Sequence, residues 1–215
     1  MDFSADRAEC LILDLFGVIV SFDDRLVYDR IAQYCADPGN AARSMTDLVS
    51  DQYLIRGKSS LEEVHCRLVS ELGFDASYRD FESMWLAPYS EPMPGMRELL
   101  RDLAGSYRLV LLSNVDRYYW DTVRASVPEL ENFHARALSF EEGVAKPERQ
   151  SFLRAIDKAG VPVERCVFVD DKTENINAAI SVGLAGHLFE TTLGLKHALR
   201  EEKFVHYEDA SLTWR

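Results

Sequence analysis

The sequence predicts an α/β fold, a parallel sheet covered by helices on both faces, with a helical insertion near its start. Three observations carry this reading. Apolar runs stop abruptly at polar residues: Leu11-Ile12-Leu13 at Asp14, Arg108 to Leu112 at Ser113-Asn114, and Cys166 to Val169 at Asp170-Asp171. Stretches of helical periodicity separate these runs. The long segment between the first two has helical periodicity and no convincing strand.

The elements follow in order. Leu11–Leu13, Arg108–Leu112 and Cys166–Val169 read as buried strands, because a strand covered on both faces is apolar throughout. Ala135–Leu138 and His187–Phe189 are weaker strand candidates. From Gly95 to Leu103, Met96, Leu99, Leu100 and Leu103 share one helical face. Pro147 suits a first helical position, and Phe152, Leu153 and Ile156 continue an apolar face until Gly160. Glu174 to Val182 forms another helix, with Gly183 as its C-terminal cap. Within the insertion, Ile31, Tyr34 and Cys35 mark one helix, Leu61, Val64, His65 and Leu68 a second, and Phe81, Met84 and Trp85 a third. Pro88, Pro92 and Pro94 mark the return to the sheet. Residues 1–20 and 93–215 are therefore expected to form the α/β core, and residues 21–92 a helical cap.

Composition narrows the functional classes. The chain has 215 residues, 47% of them hydrophobic, enough for one domain with a modest insertion. Its 36 acidic against 24 basic residues leave a net charge of -12. Such a field repels nucleic acid and anionic membranes. It also repels a phosphorylated metabolite, so that substrate requires a strong local positive site. The four cysteines form no CxxC pair and have no His cluster beside them, which argues against zinc. Reduced thiols and the cytoplasm are the expectation. The first residues lack a basic region, and the following apolar run is broken by Asp14, which argues against a signal peptide or membrane span. Monomer and homodimer are equally compatible with the sequence.

Four polar sites sit at strand ends, where open α/β sheets bind ligands. Asp14 is either a nucleophile and cation ligand or a strand-ending acid that caps the next turn. Gly17 permits a sharp turn after it. Ser113 and Asn114 either cradle an anion or cap a helix. Lys146, in Gly143-Val144-Ala145-Lys146-Pro147, either neutralises a phosphate beside the carboxylate or is solvated. Asp170 and Asp171 repel each other unless a cation or donors compensate. Asn175, four residues after Asp171, falls near the same helical face. All four sites arise in order at one sheet edge, and that joint pattern favours a shared active site over four coincidences.

With these motifs the sequence resembles the haloacid-dehalogenase-like (HAD) hydrolase superfamily. The resemblance rests on Asp14-Leu15-Phe16-Gly17-Val18-Ile19, Leu111-Leu112-Ser113-Asn114, Lys146-Pro147, and Val169-Asp170-Asp171 through Asn175. The stretch Arg56 to Glu63 and Pro92-Met93-Pro94-Gly95 resemble the cap segments of its sugar-phosphate phosphatase branch. It implies a Rossmann-like core with a helical cap of the C1 type, and Mg2+ as cofactor. By that resemblance Asp14 is nucleophile and metal ligand, Ser113 and Asn114 bind the transferring group, and Lys146 holds the charges. Asp171 and the backbone carbonyl of Phe16 complete the metal site, with Asp170 and Asn175 supporting them from behind or through water.

One position departs from the family pattern. Phosphatases of this kind usually carry a second Asp two residues after the nucleophile, as acid for the leaving group and base for water. Phe16 stands there, and a phenyl ring transfers no proton. Loss of such a group commonly costs roughly 100- to 10,000-fold. Three readings compete: a Mg2+-dependent phosphatase of a small phosphorylated metabolite, a catalytically silent binding or regulatory protein, and a 2-haloacid dehalogenase. The dehalogenase branch also has an aromatic residue here and its halide needs no proton, but two unshielded carboxylates would repel its substrate. Three clustered acids make sense around Mg2+, which ranks the phosphatase first. His65 and Asp24 are candidate cap donors, although packing or surface roles suit each better. Tyr28, Tyr53, Arg56, Trp85 and Tyr118 could line the substrate pocket or simply pack.

Overall fold

The computed structural model describes residues 8–50, 53–87, 91–201 and 204. Five parallel strands form one sheet in the order β3-β2-β1-β4-β5: β1 (Cys10–Leu13), β2 (Arg108–Ser113), β3 (Ala135–Leu138), β4 (Cys166–Asp170) and β5 (Ala185–Leu188). β1 is central, with Leu13 opposite Leu111 of β2 and Val169 of β4. Each expected strand is present. The weaker pair, β3 and β5, lie at the two edges, and β5 starts two residues earlier than its apolar signal.

Side-chain alternation along β1 divides the core. Leu11 and Leu13 face α5 (Met96–Ala104), α6 (Arg117–Ser126) and α10 (Thr192–Glu201). Cys10 and Ile12 face α8 (Arg149–Ala159) and α9 (Thr173–Ile180). A single helical turn, α7 (Ser139–Glu142), follows β3. Cys10 sits opposite Cys166 across the β1–β4 pair, and both thiols are free and buried, as small hydrophobes are.

Between β1 and α5 the chain forms α1 (Asp24–Ala32), α2 (Pro38–Ser50), α3 (Leu61–Leu72) and α4 (Tyr78–Trp85). They enclose a separate apolar cluster around Ile31, Met45, Leu61, Leu68 and Phe81. The Ser60–Glu63 capping box starts α3, and left-handed Gly73 ends it. Tyr34 and Cys35 fall just past the end of α1 rather than within it. Three polar contacts tie this unit to the sheet. Ser139 Oγ donates to the Ile55 carbonyl at 2.5 Å, Arg56 pairs with Glu148, and Trp85 Nε1 donates to Asp116 at 3.3 Å.

Two expectations are corrected. Pro147 does not open α8, which starts at Arg149 after Glu148. The backbone through Ala145–Glu148 instead closes a turn, with Glu148 N–H donating to the Ala145 carbonyl. Helix α9 ends at Ile180, ahead of the expected Val182, and a turn carries the chain to left-handed Gly183. Among the described residues, no helix is long and apolar enough to cross a membrane.

Candidate active site

The sheet delivers its polar residues to one edge. β1 ends at Leu13, so Asp14 emerges at the tip of the central strand, and Asp170 ends the neighbouring β4. Lys146 reaches between them from the loop before α8. Its Nζ lies 2.7 Å from Asp14 Oδ1 and 2.7 Å from Asp170 Oδ2. Only 2% of the lysine side chain is exposed, which rules out a solvated lysine. Its two carboxylate partners hold the ammonium charged, more than offsetting its burial.

Asn114 sets the lysine's backbone. Its side-chain amide accepts from Lys146 N–H at 2.8 Å and donates to the Lys146 carbonyl at 2.9 Å. The amide is thereby committed first to positioning Lys146. Ser113, at the end of β2, is fully buried, and its hydroxyl has no hydrogen-bond partner among the described residues. Buried polar atoms without partners are uncommon, but Ser113 is not among the residues that line the cleft of Asp14, Lys146 and Asp171.

Asp170 is saturated. Oδ1 accepts from Lys172 N–H and Asn175 Nδ2, and Oδ2 accepts from Asn175 Nδ2 and Lys146 Nζ. The spacing of Asn175 from Asp171 pointed to that pair, but the structure joins Asn175 to Asp170. The physical reason is that α9 starts only at Thr173, so Asp171 precedes the helical path. Asp170 instead lies in line with the helix start and collects its donors.

Asp14 and Asp171 have oxygens to spare. Asp14 Oδ1 accepts from Leu15 N–H at 2.7 Å as well as from Lys146, which leaves Oδ2 available. Burial pushes the Asp14 carboxyl up to about 7, with Lys146 opposing and Asp170 adding to the rise. Partial burial and the charge of Asp170 also push Asp171 up. One ligand oxygen from each of Asp14, Asp170 and Asp171 falls within 4.8 Å of the others. Three carboxylates against one buried ammonium leave charge that a divalent cation would balance. No backbone hydrogen bond to the Phe16 carbonyl occurs among the described residues. The donor set thus fits a hard, oxygen-preferring ion such as Mg2+. Gly17 has a second role beyond its turn. Its φ is +80°, and a Cβ built there would lie 2.4 Å from Asp171 Oδ2.

Phe16 joins an aromatic cluster. Its ring centroid lies 4.6 Å from Phe22 and 5.8 Å from Tyr119. The cleft holding Asp14, Lys146 and Asp171 is bordered by Phe16, Phe22 and Lys172. Lys172, Phe22, Asp116 and Ser139 were not singled out from sequence. Of these, only Lys172 carried a signal, through its adjacency to the acidic pair. His65 lies among Phe74, Tyr78 and Phe81, with Nε2 3.1 Å from the Ala76 carbonyl, and so packs the helical unit. The Asp24 side chain lies outside the described residues. Arg56 pairs with Glu148, the Tyr118 hydroxyl accepts from Leu61 N–H at 3.4 Å, and Tyr53 is exposed.

A model of the haloacid dehalogenase-like hydrolase family matches residues 8–183. The chain belongs to this family. Among curated relatives of this HAD hydrolase is a sesquiterpene phosphatase of Aspergillus oryzae, 27% identical over 63% of this chain and 70% of the relative. Another is a D-ribitol-5-phosphate phosphatase of Bacteroides thetaiotaomicron, 26% identical over 80% of this chain and 87% of the relative. The fold matches a HAD-family enzyme from Bacteroides thetaiotaomicron, solved with magnesium and inorganic phosphate. That comparison has a TM-score of 0.74 and 22% identity, and covers 86% of this chain and 96% of the other.

Proposed function

We propose that this HAD hydrolase is a Mg2+-dependent phosphatase acting on a small phosphorylated metabolite, with Asp14 as nucleophile. The observation that carries the reading is the buried Asp14–Lys146–Asp170 chain with Asp171 beside it. A buried lysine between two carboxylates orients one of them while the other is locked by four hydrogen bonds. The names of two relatives, one a terpene phosphatase and one a sugar-alcohol phosphatase, agree with phosphate-ester chemistry and leave the organic group open.

Asp14, Asp171 and the Phe16 carbonyl would hold Mg2+. When bound, the ion neutralises phosphoryl oxygens and lets an anionic nucleophile approach an anionic ester. Lys146 favours the ionised form of Asp14 against its burial and aims it. Asp14 Oδ2 attacks phosphorus, the bond from phosphorus to the ester oxygen breaks, and its electron pair leaves on that oxygen. Water then attacks the phosphoryl-aspartate at phosphorus, freeing phosphate and restoring Asp14, while its proton passes to solvent. Ser113 and Asn114 are assigned to the transferring group, with Asn114 also fixing the Lys146 backbone. Asp170 and Asn175 hold Lys146 and the strand end in place. The helices between β1 and α5 serve as the cap over this cleft.

A silent binding protein is the second reading, favoured by Phe16 where a proton donor would stand. The 2-haloacid dehalogenase ranks third, because the uncompensated acids at this edge oppose a carboxylate substrate. The deciding experiment is phosphate release from p-nitrophenyl phosphate with and without Mg2+, with 2-chloropropionate as a parallel substrate. Mg2+-dependent phosphate release that vanishes in Asp14→Asn, with the circular dichroism unchanged, is the expected outcome. Chloride release, or full activity in Asp14→Asn, removes the proposal.

A further inference from the structure

Beside the nucleophile's cleft lies a second cavity of about 140 Å³, walled by Phe22, Val27, Ile55, Trp85, Val115 and Tyr119. Phe16, Phe22 and Asn114 border both spaces, so the second space adjoins the cleft that holds Asp14. The second space is therefore placed to receive what is attached to a phosphoryl group held at Asp14.

Its polar groups are few: the hydroxyls of Tyr28 and Tyr119, the Asp116 carboxylate and the Asn114 amide, of which the last two are engaged. Asp116 accepts from Tyr119 N–H at 2.9 Å and from Trp85 Nε1 at 3.3 Å. The Asn114 amide is committed to the Lys146 backbone. A sugar alcohol seated here would bury several hydroxyls with few partners, and each unpaired group costs heavily. Size points the same way. An apolar cavity of about 150 Å³ accommodates benzene, so this one takes about one six-membered ring. Phe16, Phe22 and Tyr119 line the space and pack on one another in tilted and edge-on arrangements, an aromatic surface to which a further ring can add.

The chemistry of the leaving group converges on the same class. Phe16 builds the wall and also leaves the ester oxygen without a proton donor. A phenolate departs as the base of an acid with pKa about 10. An alkoxide departs as a far stronger base, comparable with hydroxide. A site without an acid suits the former.

We infer that this cavity seats the organic group of the substrate, and that the substrate is an aryl phosphate monoester carrying a single ring at the ester oxygen. The inference rests on the phosphatase reading of Asp14. In the step it describes, Asp14 Oδ2 bonds to phosphorus, the phosphorus–phenolic oxygen bond breaks, and the electron pair leaves as phenolate without a proton transfer.

The test uses the full chain with Mg2+. Inhibition constants of phenylphosphonate and methylphosphonate are compared, together with kcat/KM for phenyl phosphate and glycerol phosphate. Phenylphosphonate is expected to bind at least 10-fold tighter, and phenyl phosphate to turn over at least 100-fold more efficiently. In Val27→Phe, which fills the cavity, the phosphonate ratio is expected to fall toward one. Phosphate release with a phosphonate ratio near one in the wild type overturns the cavity assignment and leaves the phosphatase reading standing. Preference for glycerol phosphate does the same. Release from no ester at all removes the phosphatase reading, and this inference with it. The wild-type phosphonate ratio decides the matter even if Val27→Phe fails to fold.

Discussion

The two walls of the cleft are built on opposite chemical terms. On the sheet side, Asp170 takes hydrogen bonds on both oxygens, Lys146 bridges two carboxylates, and Asn114 grips the lysine's backbone. On the other side, Phe16, Phe22 and Trp85 present rings, and His65 is turned into the interior of the helical unit. One wall is a rigid charge lattice and the other an apolar surface. On the proposed function, reactivity resides at the strand ends and choice of organic group in the residues above them.

The largest effect is expected from breaking the charged wall. Lys146→Met leaves Asp14 and Asp170 buried without their shared cation. Such an uncompensated pair costs about 3–5 kcal/mol, read as a lower denaturant midpoint, and turnover should fall about 1000-fold. Unchanged stability would mean that the lysine's charge is not what holds this edge together.

Phe16→Asp carries polarity from one wall into the other. A carboxyl there restores a proton donor, and alkyl phosphates should gain about 100-fold in kcat/KM, the lower end of what a positioned acid supplies. Aryl phosphates should lose ground in the same variant, since an aromatic wall is removed. Equal gains for both substrate types would show that the leaving group's proton was never the obstacle.

The sequence made the sheet side legible. β1, β2 and β4 are buried on both faces and hence apolar throughout, and each ends at or just before a residue of the proposed site. β3, reading Ala-Arg-Ala-Leu, and β5, reading Ala-Gly-His-Leu, gave fainter signals because edge strands meet solvent. Helix α2 went unread because Asp37-Pro38-Gly39 has the composition of a turn. In the structure Pro38 opens the helix, and Asp37 caps it through Asn40 N–H. The aromatic wall was illegible for another reason. Phe16 and Phe22 lie in the connection after β1 and Tyr119 in α6, and only the folded chain brings the three rings together. The Asn175–Asp170 contact was missed because i, i+4 spacing was counted from a residue that precedes the helix.

Two smaller effects sharpen the contrast. Gly17→Ala places a methyl group against Asp171 at a left-handed φ. Displacing a ligand carboxylate in this way should weaken Mg2+ binding about 10-fold, measured by calorimetry, with little change in phosphonate ratios. Trp85→Phe removes the hydrogen bond to Asp116 while keeping a ring in the apolar wall. Its cost should be about 1 kcal/mol of stability, and selectivity for aryl esters should persist. A collapse of selectivity in this variant would place the indole N–H, not the ring, in control of the cavity.

The central claim is that Asp14 receives the phosphoryl group. Rapid quenching of the enzyme during turnover of p-nitrophenyl phosphate, followed by peptide mass spectrometry, tests it directly. A phosphoryl group is expected on Asp14, formed only when Mg2+ is present. Turnover with no phosphorylated Asp14, or with the group on another residue, would contradict it.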